Sequence, residues 1–374
     1  MLSIYIHIPF CLQKCNYCNY VSSKNFNKIK IEKYLKCLQK EIEIYAKIYP
    51  NEIVKTIFFG GGTPTVLETF QISQLLNCIK NNFTVFNCFR NISNLTSVHS
   101  EISIEVNPSK NIDFESLQKI GFNRISIGVQ SFNNSELEFL GRLHSSDLAI
   151  KNIKSAQKYF KNINIDLLYS FPNQTLDSLK FSLEKAMELN INHISVYNLF
   201  YEEDTKLFEQ LNQKIITPIN EDLDFEMYNL ICAELEKNGL KQYEVSNFAK
   251  ENFECKHNLN YWKRGNYLGF GLGSHSLYCN KRFNNSSDFS QYCSAKSIEN
   301  IVENEEYLTV EQIKDEEIFL GLRSVGVELE KFNEKQKQTV NEIIKFGYGE
   351  KSENKFVLNS RGKFIVDEIV LKLV

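Results

Sequence analysis

The chain has 374 residues, 43% of them hydrophobic and 24% charged, which is enough apolar material for a large domain and a smaller second one and too much for a disordered chain. Its 43 basic and 46 acidic residues give a formal net charge of −3. They form no basic block that would track a phosphate backbone, so no nucleic-acid partner is expected. No apolar run reaches the roughly 18 residues that span a bilayer. Met1-Leu2-Ser3-Ile4 enters a strand pattern without a basic n-region or cleavage site, and the expected location is the cytoplasm.

In chain order, strand 4–8 precedes helix 31–48, strand 54–59 helix 67–80, strand 101–106 helix 113–120, strand 124–129 helix 147–160 and strand 164–169 helix 175–189; strand 193–199 closes the series. This alternation is a βα repeat, so the expected fold class is α/β, with a parallel sheet closed into a barrel or partial barrel. The stretch 81–100, rich in Asn, Ser and Phe, reads as an excursion between helix and strand. After about Phe200 the rhythm changes. A helix over 220–238 leads into 243–248, then a turn-rich aromatic stretch to Tyr278 and a mixed tail ending at 356–373. The expected division is residues 1–215 and a second, α+β domain over 216–374.

Of ten cysteines, Cys37, Cys78, Cys88, Cys232, Cys255, Cys279 and Cys293 stand alone in sequence and read as buried thiols or incidental surface residues. The other three are clustered in Cys11-Leu12-Gln13-Lys14-Cys15-Asn16-Tyr17-Cys18. Three thiolates at this spacing each bind one iron of a [4Fe-4S] cubane and leave the fourth iron open. The amino and carboxylate groups of S-adenosylmethionine (SAM) can chelate that iron, and an electron from the cluster can then release a 5′-deoxyadenosyl radical. Structural zinc is the alternative; it needs a fourth ligand, for which His7, inside the first strand, is awkwardly placed. Phe10 and Tyr17 are positioned to shield a cluster from water.

Chemistry in a βα barrel gathers at the C-terminal ends of the strands. Strand two ends in Gly60-Gly61-Gly62-Thr63-Pro64-Thr65, whose glycines allow close backbone approach to a ligand, or simply make a tight turn. Strand three ends at Glu105-Val106-Asn107-Pro108, strand four at Gln130 with Arg142 on the following helix, and strand five at Asp166. Singly, these are caps or surface polar groups. Together they make a ligand rim, with Glu105 or Asp166 to accept from ribose hydroxyls or an ammonium and Arg142 to pair with a carboxylate.

These residues resemble the coproporphyrinogen III oxidase-like family of the radical-SAM superfamily, and most of all its heme-chaperone branch. The resemblance is carried by Tyr5-Ile6-His7-Ile8-Pro9-Phe10-Cys11, the Gly60–Thr65 turn, Glu105-Val106-Asn107-Pro108, Gly128-Val129-Gln130-Ser131-Phe132, Asp166-Leu167-Leu168-Tyr169, Tyr243-Glu244-Val245-Ser246-Asn247-Phe248-Ala249 and His257-Asn258-Leu259-Asn260-Tyr261-Trp262, and it covers nearly the whole chain. It implies a radical-SAM (β/α)6 partial TIM barrel with a C-terminal α+β domain. It implies cluster ligation by Cys11, Cys15 and Cys18, and SAM contacts from Tyr5, Gly62, Thr63, Glu105, Gln130, Arg142 and Asp166, with Phe200 a weaker candidate. His257 opens a segment linked in that branch to heme binding, and its imidazole suits an axial iron ligand; His275 is a weaker second candidate. The same segment also reads as a turn that stabilises the fold.

The oxidase branch carries a further cysteine where this chain has Tyr20, and an N-terminal extension of some tens of residues where this chain starts four residues before Tyr5. Both departures favour a heme chaperone that transfers heme to apo-hemoproteins of the respiratory chain. An oxygen-independent coproporphyrinogen III oxidase is the alternative, followed by a related methyltransferase or heme-degrading protein and by a non-catalytic metal-stabilised protein. The resemblance also implies an electron donor such as flavodoxin or ferredoxin, and it is compatible with a peripheral membrane contact and a homodimer. Ser170 and Asn173 stand where relatives usually carry Gly, and Leu272 and Ser274 where they carry Pro and Ala.

Overall fold

The computed structural model describes residues 1–85 and 100–374. Residues 86–99, which take in Cys88 and most of the stretch 81–100, lie outside the described residues. The strands are β1 Leu2–Ile8, β2 Ile53–Gly61, β3 Thr84–Val85, β4 Glu101–Val106, β5 Arg124–Gln130, β6 Asn162–Tyr169, β7 His193–Asn198, β8 Lys241–Gln242, β9 Asn247–Ala249, β10 Tyr267–Phe270, β11 His275–Tyr278, β12 Lys281–Asn285, β13 Val302–Tyr307, β14 Val327–Glu328, β15 Gly349–Ser352 and β16 Lys355–Leu358. The chain divides into two compact units, each built from separate stretches. Residues 1–165, 200–215 and 266–307 form the first, and residues 166–199, 216–265 and 308–374 the second.

The first unit rests on parallel pairing. β1 lies between β2 and β10, β2 pairs onward with β4, and β4 with β5. Every residue of β1 is buried except the half-buried Tyr5, the pattern of a parallel strand covered on both faces. From β10 the sheet continues antiparallel through β11 and β12 to β13, where the exposed Glu303, Glu305 and Glu306 put charge on the edge strand and discourage further pairing. Helix Lys28–Ile48 begins ahead of the expected 31 because the Asn27 side chain accepts from the Lys30 amide. It turns Ile31, Tyr34, Leu38, Ile42 and Tyr45 inward at helical spacing. The helix expected over 67–80 is Thr69–Asn82, because Pro64–Val66 forms a short 3-10 turn and Glu68 and Gln71 make a capping box. The helix expected over 147–160 is Ser146–Ala156, capped by Ser145.

In the second unit β9 pairs antiparallel with both β7 and β8, and helix Leu176–Glu188 packs on helix Glu221–Lys237. A separate sheet in the order β14-β16-β15 closes over Ile318, Leu322, Phe356 and Val370. Ser170 and Asn173 have φ of 65° and 66°, the left-handed region that glycine occupies without cost; here the Ser170 amide is held by Gln174 Oε1 at 2.8 Å. No helix among the described residues is long and apolar enough to cross a membrane.

The first unit buries the Glu41 carboxylate completely. Glu41 accepts from the Gly271 amide at 3.0 Å, from Asn285 Nδ2 at 2.6 Å and from the Tyr292 hydroxyl at 2.6 Å, so three distant segments are fastened to one side chain of the first helix. Burial pushes its pKa up to about 7, against the pull of those three donors. With the folded value above the ordinary 4.5, its contribution to stability is fully present below about pH 4.5 and is lost as pH rises through 7. Glu41→Gln should flatten the stability profile between pH 5 and about 7.5 in denaturant titrations. Glu41→Ala, which takes the acceptor from the Gly271 amide and the Tyr292 hydroxyl while Asn285 Nδ2 keeps Gly271 O and Ser274 Oγ, should cost on the order of 2–5 kcal/mol.

Candidate functional site

The cysteine loop leaves the end of β1 and is tied shut at its base. The Cys11 amide donates to Ser23 O at 3.2 Å and the Ser23 amide to Pro9 O at 2.9 Å. Its middle is fastened to the end of helix Asn134–Phe139: the Asn16 amide donates to Leu140 O at 3.1 Å, Asn16 Nδ2 to Phe139 O at 2.7 Å, and Gln13 Nε2 to Gly141 O at 2.9 Å. A turn bond from the Cys18 amide to Cys15 O, 3.2 Å, folds the last two cysteines together. On the β2 side, the Gly62 amide donates to Ile8 O and the Thr63 amide to Phe10 O, each at 2.8 Å. A Cβ on Gly62 would stand 2.7 Å from Phe10 O and 2.9 Å from Cys11 Sγ. Gly62 therefore permits the close passage of two backbones, and this is the role the geometry gives it.

A chain of polar contacts runs from this loop across the strand ends. Thr63 Oγ1 lies 3.7 Å from Cys11 Sγ and accepts from Asn107 Nδ2 at 2.7 Å. Arg142 Nη2 donates to Asn107 Oδ1 and to Gly128 O, both at 2.6 Å, while Nη1 donates to Cys15 Sγ at 3.2 Å. A Cβ on Gly128 would lie 2.9 Å from Asn107 Oδ1 and 3.1 Å from Gln130 Nε2, so that glycine clears the space where these side chains meet. Gln130 has φ of 70°, a strained conformation for a residue with a side chain, and such strain gathers at ligand sites. Glu105 Oε2 accepts from the Gly61 amide at 3.2 Å, and a Cβ on Gly60 would touch both Glu105 and Tyr5.

Tyr5, Gly62, Thr63, Glu105, Gln130 and Arg142 thus belong, with Cys11, Cys15 and Cys18, to the strand-end face of the first unit. Asn107 was not singled out from sequence, yet it is the hinge of the contact chain. The signal was its position two residues after Glu105, where the same strand face returns. The Tyr17 hydroxyl interacts with Arg142.

His7 is not available as a metal ligand. Its Nε2 is 2.7 Å from Val21 O and its Nδ1 3.1 Å from the Tyr5 hydroxyl. Burial lowers its pKa, with the Val21 carbonyl opposing, so the ring is neutral, donates from Nε2 and accepts at Nδ1. A closed zinc site loses its fourth ligand, and among the described residues no three His, Cys, Asp or Glu side chains converge as the ligands of a single metal ion do. A cubane asks for something different, three thiolates each on its own iron. The three thiols sense one another. Burial raises the pKa of Cys11, with Cys15 adding to the rise, and pushes Cys18 up to about 11, with Cys15 and Cys11 both contributing. Burial works against the charge of Arg142, but Tyr17 and Cys15 beside it reverse the effect and raise its pKa. Its Nε is buried with no hydrogen-bond partner, an unanswered donor on a fixed cation. Three free thiols, a buried guanidinium and an orphaned N–H fit an iron–sulfur cluster with an anionic ligand group beside it.

The remaining candidates are Phe200, Asp166, His257 and His275. Phe200 belongs to the first unit and is 70% exposed. Asp166 is half-buried on β6 in the second unit. His257 is also in the second unit, on the short helix Lys256–Trp262, and is 1% exposed. Its Nε2 is 2.8 Å from the Tyr261 hydroxyl, with the two rings edge to face. The start of that helix is held by the Tyr243 hydroxyl, which accepts from the Cys255 amide at 3.2 Å and meets His193 Nε2 at 2.8 Å. As placed, His257 offers no free nitrogen at the surface and does not fit an axial heme ligand without breaking its contact to Tyr261. His275, at the start of β11, is exposed.

Comparison with known proteins agrees with this geometry. Residues 5–186 match the model of the radical SAM superfamily. The chain is 34% identical to the heme chaperone HemW of Bacillus subtilis over 99% of its own length and 98% of that protein's, and 34% identical to HemW of Lactococcus lactis over 96% and 91%. It is 38% identical to a Buchnera aphidicola HemW over 75% and 71%. Among solved structures, the coproporphyrinogen III oxidase HemN of Escherichia coli superposes with a TM-score of 0.82 at 23% identity, covering all of this chain and 89% of that one. That likeness shows the fold, an α/β partial TIM barrel of the radical-SAM type.

Gly62→Ala should lower iron bound per chain to less than half the wild-type value after anaerobic reconstitution, with far-ultraviolet circular dichroism unchanged. Iron loading should also rise as pH is raised from 7 to about 9, because the raised thiol pKa values mean that protons must leave for iron to bind.

Proposed function

We propose that this chain, which belongs to the radical SAM superfamily and to the HemW family within it, binds heme and delivers it to apo-hemoproteins, respiratory enzymes among them. The observation that carries the proposal is full-length similarity to proteins named as heme chaperones, spanning 99% of this chain and 98% of the Bacillus subtilis protein. Family membership implies a [4Fe-4S] cluster and SAM, which together supply one-electron chemistry. Cys11, Cys15 and Cys18 hold the cluster. Arg142, with its unpartnered Nε, is suited to the carboxylate of SAM, and Thr63, Glu105 and Gln130 supply further polar contacts beside it. Asn107 fixes the guanidinium from one side and Gly128 O from the other. Tyr20, 63% exposed, stands where the oxidase branch has a cysteine, which favours heme handling over porphyrinogen decarboxylation. A flavodoxin- or ferredoxin-type donor would supply the electron.

The deciding experiment uses anaerobically reconstituted protein with SAM, a reductant and coproporphyrinogen III, and a heme titration followed by absorbance on the same sample. Saturable heme binding without product is the expected result; formation of protoporphyrinogen IX would overturn the chaperone reading. Cys11→Ala, Cys15→Ala and Cys18→Ala should each reduce cluster absorbance to background. Heme retained equally by wild type and His257→Ala would remove His257 as the ligand.

A further inference from the structure

On the first unit, away from the cysteine loop, two cysteines that stand 256 positions apart are brought into contact. The first long helix presents one face to helix Phe289–Ser294, and each turn of that face makes a specific contact. Lys30 Nζ lies 4.8 Å from the Phe289 ring centroid. Tyr34 packs at 6.2 Å from Phe289 and 5.6 Å from Tyr292. One turn further on, Cys37 Sγ is 3.6 Å from Cys293 O, and a turn beyond that Glu41 takes the Tyr292 hydroxyl at 2.6 Å. The spacing i, i+4, i+7, i+11 is that of a single helix stripe, so the two thiols are held by contacts on both sides. They also interact directly: the Cys37 thiol is among the groups that, after burial, raise the pKa of Cys293.

Both thiols line a cavity of about 180 Å3, and so do Lys36, Lys40 and Lys296. Neither thiol is fully buried. A half-open dithiol in a small cavity whose lining includes three lysines suits an anionic sulfur compound. We propose that Cys37 and Cys293 form a thiol–disulfide exchange site for small disulfides bearing carboxylates, with glutathione disulfide the representative of the class. The Cys37 thiolate attacks one sulfur of the disulfide, forming a mixed disulfide and expelling one small thiolate. The Cys293 thiol, giving up its proton to the departing thiolate, then attacks Cys37 Sγ, closing the Cys37–Cys293 bond and expelling the second small thiol. The protein pair loses two electrons, the small disulfide gains both, and the two protein thiol protons pass to the two departing thiolates. The lysines hold the carboxylates, and the closed bond ties the first helix to helix Phe289–Ser294.

The test treats cluster-loaded protein with glutathione disulfide, blocks remaining thiols with an alkylating agent and maps the peptides by mass spectrometry. The expected result is a Cys37–Cys293 disulfide with two equivalents of glutathione released per chain. Cys293→Ser should stop at a glutathione adduct on Cys37, and Cys37→Ser should leave Cys293 unmodified, both with wild-type circular dichroism. Replacing Lys36, Lys40 and Lys296 together by Gln should slow the reaction with glutathione disulfide several-fold while leaving that with the uncharged bis(2-hydroxyethyl) disulfide unchanged. Recovery of Cys37 and Cys293 both alkylated, with adducts confined to the exposed Cys279, would overturn the site. Equal slowing with charged and uncharged disulfides would overturn the role of the lysines.

Discussion

Two hydrogen bonds, donated by the Gly62 and Thr63 amides to the carbonyls of Ile8 and Phe10, hold the exit of β1 against the exit of β2, and the candidate site is assembled on that clasp. It exists because parallel pairing brings Ile8 opposite Gly61 and because a residue without a side chain follows. Cys11 is therefore fixed by its neighbour strand as well as by its own loop, and the hydroxyl of Thr63 reaches its sulfur from the same turn. Any side chain at position 62 must displace backbone, which has nowhere to go in a pair of buried strands. The cost would fall on the loop, the part of the clasp with fewest constraints.

The electrostatics of the site follow from this closeness. Arg142 is placed among a thiol, a phenol, an amide oxygen and a backbone carbonyl, acceptors that keep a charged group tolerable in a partly buried setting. With two of its nitrogens committed and Nε open, the guanidinium is oriented before any ligand arrives, and a fixed fork binds a carboxylate at lower entropic cost than a free one. The neutral His7 nearby serves a different purpose: by bonding both Tyr5 and Val21 it stiffens β1 and the far arm of the loop.

Much of this was legible in the residues. The strands over 54–59, 101–106 and 124–129 fall inside β2, β4 and β5, because Ile102, Ile104 and Val106, and Ile125, Ile127 and Val129, return at every second position and Ile57-Phe58-Phe59 is a short apolar run. Features set by distant partners were not legible. The position of Asn107 two residues after Glu105 marked its face but not its bridge between Thr63 and Arg142, and the pairing of Cys37 with Cys293 depends on which faces two helices present. The left-handed backbone at Ser170 and Asn173 was legible only as a departure from glycine, and the structure shows that this chain keeps the turn despite the side chains. Helix starts moved where Asn27 or the Glu68–Gln71 box supplied a cap that periodicity alone does not weigh.

The least legible element, β10, determines how firmly β1 is held. Tyr267–Phe270 lies far along the chain in a stretch that reads as turns, yet it pairs parallel with β1 from Ser3 to Ile6. Without it β1 would be an edge strand, free to shift register and to carry the cysteine loop with it. With it, β1 is interior, and Glu41 fixes the arrangement by taking the amide of Gly271, the residue that follows β10, and the side chain of Asn285 at the end of β12. The buried carboxylate and the cluster loop are thus two ends of one constraint. A carboxyl group held deep in the first helix keeps the returning strand in place, and the returning strand keeps β1, and the thiols beyond it, in register.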